Sequence, residues 1–153
     1  MELDRIREKF LTSKKYLNKL KTIIAESHEN LENNLDLQLI SERIFEVLSQ
    51  LFLDICTHII SNSSEDPPES YTDCMKKLGK IGVIQPKTTE KTISLIKMRN
   101  IIVHQYGDIN YRLLLEGLRE LDKDFPQFEK EILEWIESKE NRIKSLKKTN
   151  NEH

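Results

Sequence analysis

The chain has 153 residues, with 24 Lys and Arg against 26 Asp and Glu, a formal charge of −2. Only 4 Gly and 4 Pro are present. That is too few for a turn-rich β-sandwich or α/β fold, and it excludes collagen and low-complexity disorder. The near-neutral charge also excludes a strongly basic nucleic-acid coat protein, while leaving room for a local basic site.

These counts point to a few long helices. The length fits a single domain, expected over residues 1–147, with 148–153 as a frayed polar tail. The two cysteines, Cys56 and Cys74, form no Cys-x-x-Cys motif, which removes zinc ribbons and thioredoxin-like sites. Both lie in apolar helical stretches and are expected as reduced core thiols. No apolar run looks long enough for a membrane span. The charged start, Met1-Glu2-Leu3-Asp4-Arg5, lacks the apolar segment of a signal peptide. A cytoplasmic protein with no membrane contact is therefore expected.

In chain order, Leu3, Ile6, Phe10, Leu17, Leu20 and Ile24 recur at three- and four-residue steps, predicting an amphipathic helix over 2–27. The Asn-rich stretch 28–34 reads as a connection. A second helix is predicted over 36–60, with Leu39, Ile44, Leu48, Leu51, Ile55 and Ile59 on a stripe widened by Phe45, Phe52 and Cys56. So wide a stripe requires more than one partner helix. Residues 61–69 form the clearest loop, and Ser70 with Asp73 resembles a helix start for a short helix over 71–78. The segment Gly79–Gly82 is expected to end that helix. Pro86 suits the first turn of the next helix, which should run to Tyr106 and stop at Gly107. Asp108 or Asn110 can cap a last helical region. Pro126 is expected to break or kink it into helices over 110–122 and 126–147. The sum is an all-α antiparallel bundle of about five helices. The segment 139–148 carries Lys139, Arg142, Lys144, Lys147 and Lys148 against Glu140. It reads either as a solvated helix end favoured by the helix dipole or as an RNA-contacting arm.

The stretch from Ile93 to Tyr106 carries the chemistry. Its helix is apolar on most sides, so it is expected to be buried nearly all round. Yet Arg99, Asn100, His104 and Tyr106 project from it over an arc of about 160°, at about 100° per residue. Asn100 and His104 are i,i+4 neighbours, so the amide can orient the imidazole. Arg is a fixed cation suited to phosphate, and His exchanges protons near neutral pH. Together they suffice, without a metal, to cleave RNA through its own 2′-hydroxyl. The plainer reading is a satisfied core His and a buried Arg bridging helices. Asp54 and His58 share a helix face, and Asp54 is positioned to pair with Arg99; alternatively the two make a local surface contact. No Gly-rich phosphate loop, Gly-x-Ser-x-Gly elbow, metal-ligand spacing or cofactor motif occurs.

The string Arg99-Asn100-Ile101-Ile102-Val103-His104-Gln105-Tyr106 resembles the Arg-x4-His-x-Tyr motif of HEPN-domain proteins. Tyr two residues after His, followed by Gly107, is similar to the HepT-type toxin branch, whose partner is a MntA-like nucleotidyltransferase antitoxin. Ser41-Glu42-Arg43, the segment Asp54–Ile60, Pro68-Glu69-Ser70-Tyr71 and the segment Leu78–Ile84 also resemble that branch. The resemblance covers about residues 36–137. It implies a ribonuclease pair of Arg99 and His104, supported by Asn100 and Asp54, in a cleft shared by a homodimer. It also implies tRNA or mRNA as substrate, metal-independent cleavage, and Tyr106 as the hydroxyl that the antitoxin modifies with AMP. The alternative is a non-catalytic HEPN module that binds RNA or nucleotide beside the same partner. A plain helical oligomerisation protein is the third reading.

Overall fold

The computed structural model describes residues 2–103 and 109–151, which form six helices and no strand. They are α1 (Leu3–Ile23), α2 (His28–Asn33), α3 (Leu35–Ser61), α4 (Tyr71–Lys80), α5 (Pro86–Val103) and α6 (Tyr111–Asn151). The all-α class is as expected.

Helix α3 is the centre. Phe45, Leu48, Phe52, Leu53, Ile55, Cys56 and Ile59 are all buried. The other five helices pack on it, which is what its wide stripe requires. Contrary to expectation, α3 is long and apolar enough to cross a membrane; however, 61% of that window is buried inside the bundle, as in the core helix of a folded domain.

Side-chain pairs fix the helix directions. Arg7 meets Glu140 and Lys21 meets Asp122, so α1 runs antiparallel to α6. Tyr111 bonds Glu42 while Phe125 and Phe128 stack on Phe52, so α6 runs parallel to α3. Lys91 meets Asp124, and Gln85 and Thr88 meet Glu131, so α5 returns antiparallel to α6.

Four phenylalanines lock α1, α3 and α6 together. Phe52 lies 5.2 Å from Phe125 and 4.5 Å from Phe128 between ring centroids, and Phe10 lies 6.1 and 6.4 Å from the same two. Tilted and edge-on aromatic pairs of this kind add about 0.5–1.5 kcal/mol each beyond burial. This cluster explains a departure from expectation. Pro126 does not break the last helical region, because α6 is one helix of 41 residues with Pro126 inside it. A proline in a helix interior costs about 3 kcal/mol. Phe125 and Phe128 lie on either side of it, both fully buried, and their packing holds the two halves in one rod.

Two other boundaries differ. The stretch 28–34 is not simply a connection. Ser27 accepts a hydrogen bond from the Asn30 N–H at 3.1 Å and caps α2, whose Leu31 is buried. Asn34 then caps α3 through the Leu37 N–H. At the far end α6 continues to Asn151, past the expected end at 147. Ser70 does cap α4 through the Asp73 N–H, Pro86 does open α5, and Asn110 does cap α6 through the Leu113 N–H. Both cysteines are buried free thiols.

Helix α4 ends at Lys80, and two residues on Gly82, whose φ of +80° suits glycine, turns the chain, with the Val83 N–H donating to the Leu78 carbonyl. Gly117 has a different function. A Cβ there would stand 2.7 Å from both Met98 Sδ and a Phe45 ring carbon, so its absence lets α6 approach α5 and α3. We expect Gly117→Val to lose about 2–3 kcal/mol through overpacking, despite its gain in helix propensity. Urea unfolding of the variant checks this; stability equal to or above wild type would contradict it.

Candidate active site

The candidate residues sit on the last turns of α5. That helix is not buried nearly all round. Leu95, Ile96 and Ile102 face the core, but Lys87, Glu90, Lys91, Ser94, Lys97, Asn100 and Ile101 are exposed. The polar residues 87–97 recur at three- and four-residue steps and set a solvent stripe, which the apolar run after Ile93 obscures. The start of α5 is fastened by Glu131 of α6. This buried carboxylate accepts from the Gln85 N–H at 2.6 Å, from the Thr88 hydroxyl and from Gln127 Nε2 at 3.0 Å. An anion at a helix N-terminus satisfies donors that lack intrahelical partners and complements the helix dipole. With its N-terminus held and Met98 packed toward Gly117, α5 has little freedom to rotate, and the direction of Arg99 is set.

Arg99 is part-buried. Its Nη2 donates to Gln50 Oε1 of α3 at 3.0 Å. Gln50 Nε2 in turn donates to Asp54 Oδ1 at 2.9 Å, and Asp54 Oδ2 lies 3.9 Å from Lys9 Nζ of α1. The order in space is therefore Lys9, Asp54, Gln50, Arg99. The expected Asp54–Arg99 pair is not formed. Gln50 stands one helical turn before Asp54 on the same face of α3, takes the guanidinium itself and passes only a neutral amide contact on to the carboxylate. Asp54 bonds Gln50 rather than His58, and among the described residues His58 Nε2 is buried without a partner. Arg99 Nε is likewise buried and without a partner among the described residues. The Arg99 guanidinium also lies 6.0 Å from the centroid of the Tyr71 ring, within cation–π reach.

Asn100, the next residue, is exposed and lines a cavity of about 440 Å3 with Thr57, Pro68, Glu69, Ser70, Tyr71 and Thr72. Its walls are the 62–70 loop, α3, the start of α4 and the end of α5. His104 and Tyr106 lie outside the described residues, as do Gly107 and Asp108. Of the expected site residues within the described ones, Arg99 and Asp54 are joined through Gln50, and Asn100 stands at the cavity. Sequence reasoning missed Gln50 and Lys9 as members of this polar chain. The i,i+4 spacing of Gln50 and Asp54 was the visible clue.

Among the described residues, then, the bundle presents an arginine bonded to a neutral amide beside an open cavity. Comparison with known proteins gives the class. The family described as Ribonuclease HepT-like matches residues 13–133, and this chain belongs to that family. Its enzyme class is that of an endoribonuclease. The chain is 24% identical over 122 residues to the tRNA nuclease HepT of Aphanizomenon flos-aquae, covering 80% of this chain and 83% of that one. Its fold matches the tri-AMPylated HEPN toxin of Shewanella oneidensis solved with its MNT antitoxin, with a TM-score of 0.73, 20% identity, and coverage of 86% and 97% of the two chains. It also matches a chain in the structure of a mutant MntA–HpeT toxin–antitoxin, with a TM-score of 0.71, 22% identity, and coverage of 84% and 97%. The family match ends at residue 133, so the exposed last turns of α6, including Arg142, Lys144, Lys147 and Lys148, extend beyond it.

Gln50→Leu removes the acceptor of Arg99 and the amide donor to Asp54. The expected loss is about 1–3 kcal/mol, the range for stranding part-buried polar groups. Urea unfolding measures it, and an unchanged midpoint would mean that water replaces Gln50 without cost.

Proposed function

We propose that this chain is the ribonuclease toxin of a toxin–antitoxin pair. It cuts cellular RNA, tRNA or mRNA, without a metal ion, and is silenced by a nucleotidyltransferase antitoxin. The observation that carries the reading is the state of Arg99. Among the described residues, it is a part-buried cation bonded to one neutral amide, with a buried Nε that has no partner. Such a charge is costly unless an anion meets it, and a phosphodiester supplies both the charge and the acceptor oxygens.

The chemistry follows from the residue types. His104 acts as general base and takes the proton of a ribose 2′-hydroxyl. The 2′-oxygen attacks the adjacent phosphorus, and the bond to the 5′-oxygen breaks. Negative charge gathers on the phosphoryl oxygens as this happens, and Arg99 stabilises it. A proton delivered to the departing 5′-oxygen completes the step, leaving a 2′,3′-cyclic phosphate and a 5′-hydroxyl. One histidine cannot be base and acid in the same instant, so a cleft shared by two copies, each contributing Arg99 and His104, suits the reaction. Ile101, 54% exposed beside Asn100 at the end of α5, supports such a homodimer by offering apolar surface where the second copy would approach. Asn100 supports the site by orienting His104. Asp54 acts at a distance, by orienting Gln50 and through it Arg99.

In this reading Tyr106 accepts AMP from the antitoxin. The added phosphate would sit near Arg99 and His104 and occupy the anion site with a covalent plug. Among relatives of this fold, the Shewanella oneidensis toxin is tri-AMPylated and bound to an MNT antitoxin, which supports this partner and this modification.

Purified wild-type protein should cleave tRNA or a model mRNA in EDTA. Arg99→Ala and His104→Ala should each lower the rate at least 100-fold, the usual scale for losing one electrostatic or acid–base group. Folded wild type that leaves both RNAs intact would instead favour a binding module without turnover. Cleavage unchanged in both variants would remove the assigned residues. For Tyr106, co-production with the nucleotidyltransferase should add one or more AMP masses to the intact chain, and Tyr106→Phe should abolish them. Mass spectrometry that finds the same increments on the Phe variant would place the modification elsewhere.

A further inference from the structure

The cavity beside Asn100 has no role in the cleavage step described above. We propose that it is a subsite for the nucleobase next to the scissile phosphate, with the Tyr71 ring as its stacking platform. This rests on the reading of Arg99 as the phosphate-binding residue.

Size is the first argument. About 440 Å3 lies within the usual range of roughly 300–1,000 Å3 for small-molecule pockets, and a base with part of its ribose fits it. Position is the second. Tyr71 lines the cavity and its ring centroid is 6.0 Å from the Arg99 guanidinium. That separation is short enough for a phosphate bonded to Arg99 and a base stacked on Tyr71 to belong to one nucleotide or to adjacent ones. The third argument is surface chemistry. Tyr71 is 46% exposed and lines the cleft, with the Arg99 guanidinium over one side of its ring, which leaves the other side for a base. Single-stranded RNA is commonly held by stacking unpaired bases on such rings, and every base has a face to stack. Thr72 lines the same cavity, and a threonine hydroxyl has both donor and acceptor capacity for a base edge.

The platform is also rigid. Ser70 Oγ accepts from the Asp73 N–H, and Asp73 Oδ2 accepts from the Glu69 N–H, so the first turn of α4 is capped in both directions. Lys77 Nζ donates to the Asp66 carbonyl at 2.8 Å, and Lys80 Nζ lies 3.1 Å from Glu65, tying the loop to α4. A ring presented from so braced a turn loses little entropy when a base docks on it.

The test uses the full chain as wild type, Tyr71→Ala and Tyr71→Phe, with two readouts. The first is NMR titration with 5′-AMP, 5′-CMP and ribose 5-phosphate, which share a phosphate and differ in the base. Wild type should bind both nucleotides about ten-fold more tightly than ribose 5-phosphate, the lower part of the range for one aromatic stack. Tyr71→Ala should erase the difference and Tyr71→Phe should keep it. The second readout is RNA cleavage, in which kcat/KM should fall about ten-fold in the Ala variant and stay within three-fold of wild type in the Phe variant. Wild type that binds all three ligands equally overturns the proposal, whatever the Ala variant does. So does cleavage unaffected by Tyr71→Ala. Base-dependent binding at Tyr71 in a protein that cuts no RNA would uphold the subsite while removing the ribonuclease reading.

Discussion

Everything in this molecule is arranged around the need to cover α3. A helix whose apolar residues spread around most of its circumference cannot be buried against one neighbour, so it collects five. The longest of them, α6, lies parallel to α3 along the Phe52, Phe125 and Phe128 contacts, and α1 and α5 return in the opposite sense on either side. Along the edges between two covering helices, polar side chains of α3 can reach groups on its neighbours. Gln50 and Asp54 occupy such an edge, between Lys9 of α1 and Arg99 of α5. The polar chain of the site is thus a consequence of how the core is closed.

The same constraint explains how much could be read beforehand. The long amphipathic helices followed from the spacing of apolar residues, and the starts of α4, α5 and α6 from Ser70, Pro86 and Asn110, whose capping chemistry is local. The errors came where distant contacts outweigh local preference. Pro126 is a helix breaker by its own geometry, and nothing near it in sequence announces that Phe125 and Phe128 will lock onto Phe10 and Phe52. Helix α2 is six residues long, too short for periodicity to show, and depends on Ser27 and on burial of Leu31.

The site was legible in its identities more than in its contacts. Arg99 and Asn100 stood out because polar groups on an apolar helix need a reason. Asp54 stood out as a carboxylate on a helix expected to lie nearby. Which of Gln50 and Asp54 would reach the guanidinium depends on the offset between α3 and α5. That offset is set elsewhere, by Glu131 at the first turn of α5 and by the space left at Gly117. A shift of one helical turn between the two helices is the difference between an ion pair and an amide contact.

That difference bears on function. A carboxylate bonded directly to Arg99 would neutralise it, and an incoming phosphate would have to displace a charged competitor already in the low-dielectric edge of the bundle. An amide orients the guanidinium without cancelling its charge. Asp54 still contributes, because its bond to Gln50 Nε2 turns the amide so that Oε1 faces Arg99. Lys9 offsets part of the carboxylate's charge from the other side. Gln50 therefore separates two requirements that a direct ion pair would set against each other: a fixed direction for the arginine, and a positive charge left available to an anion.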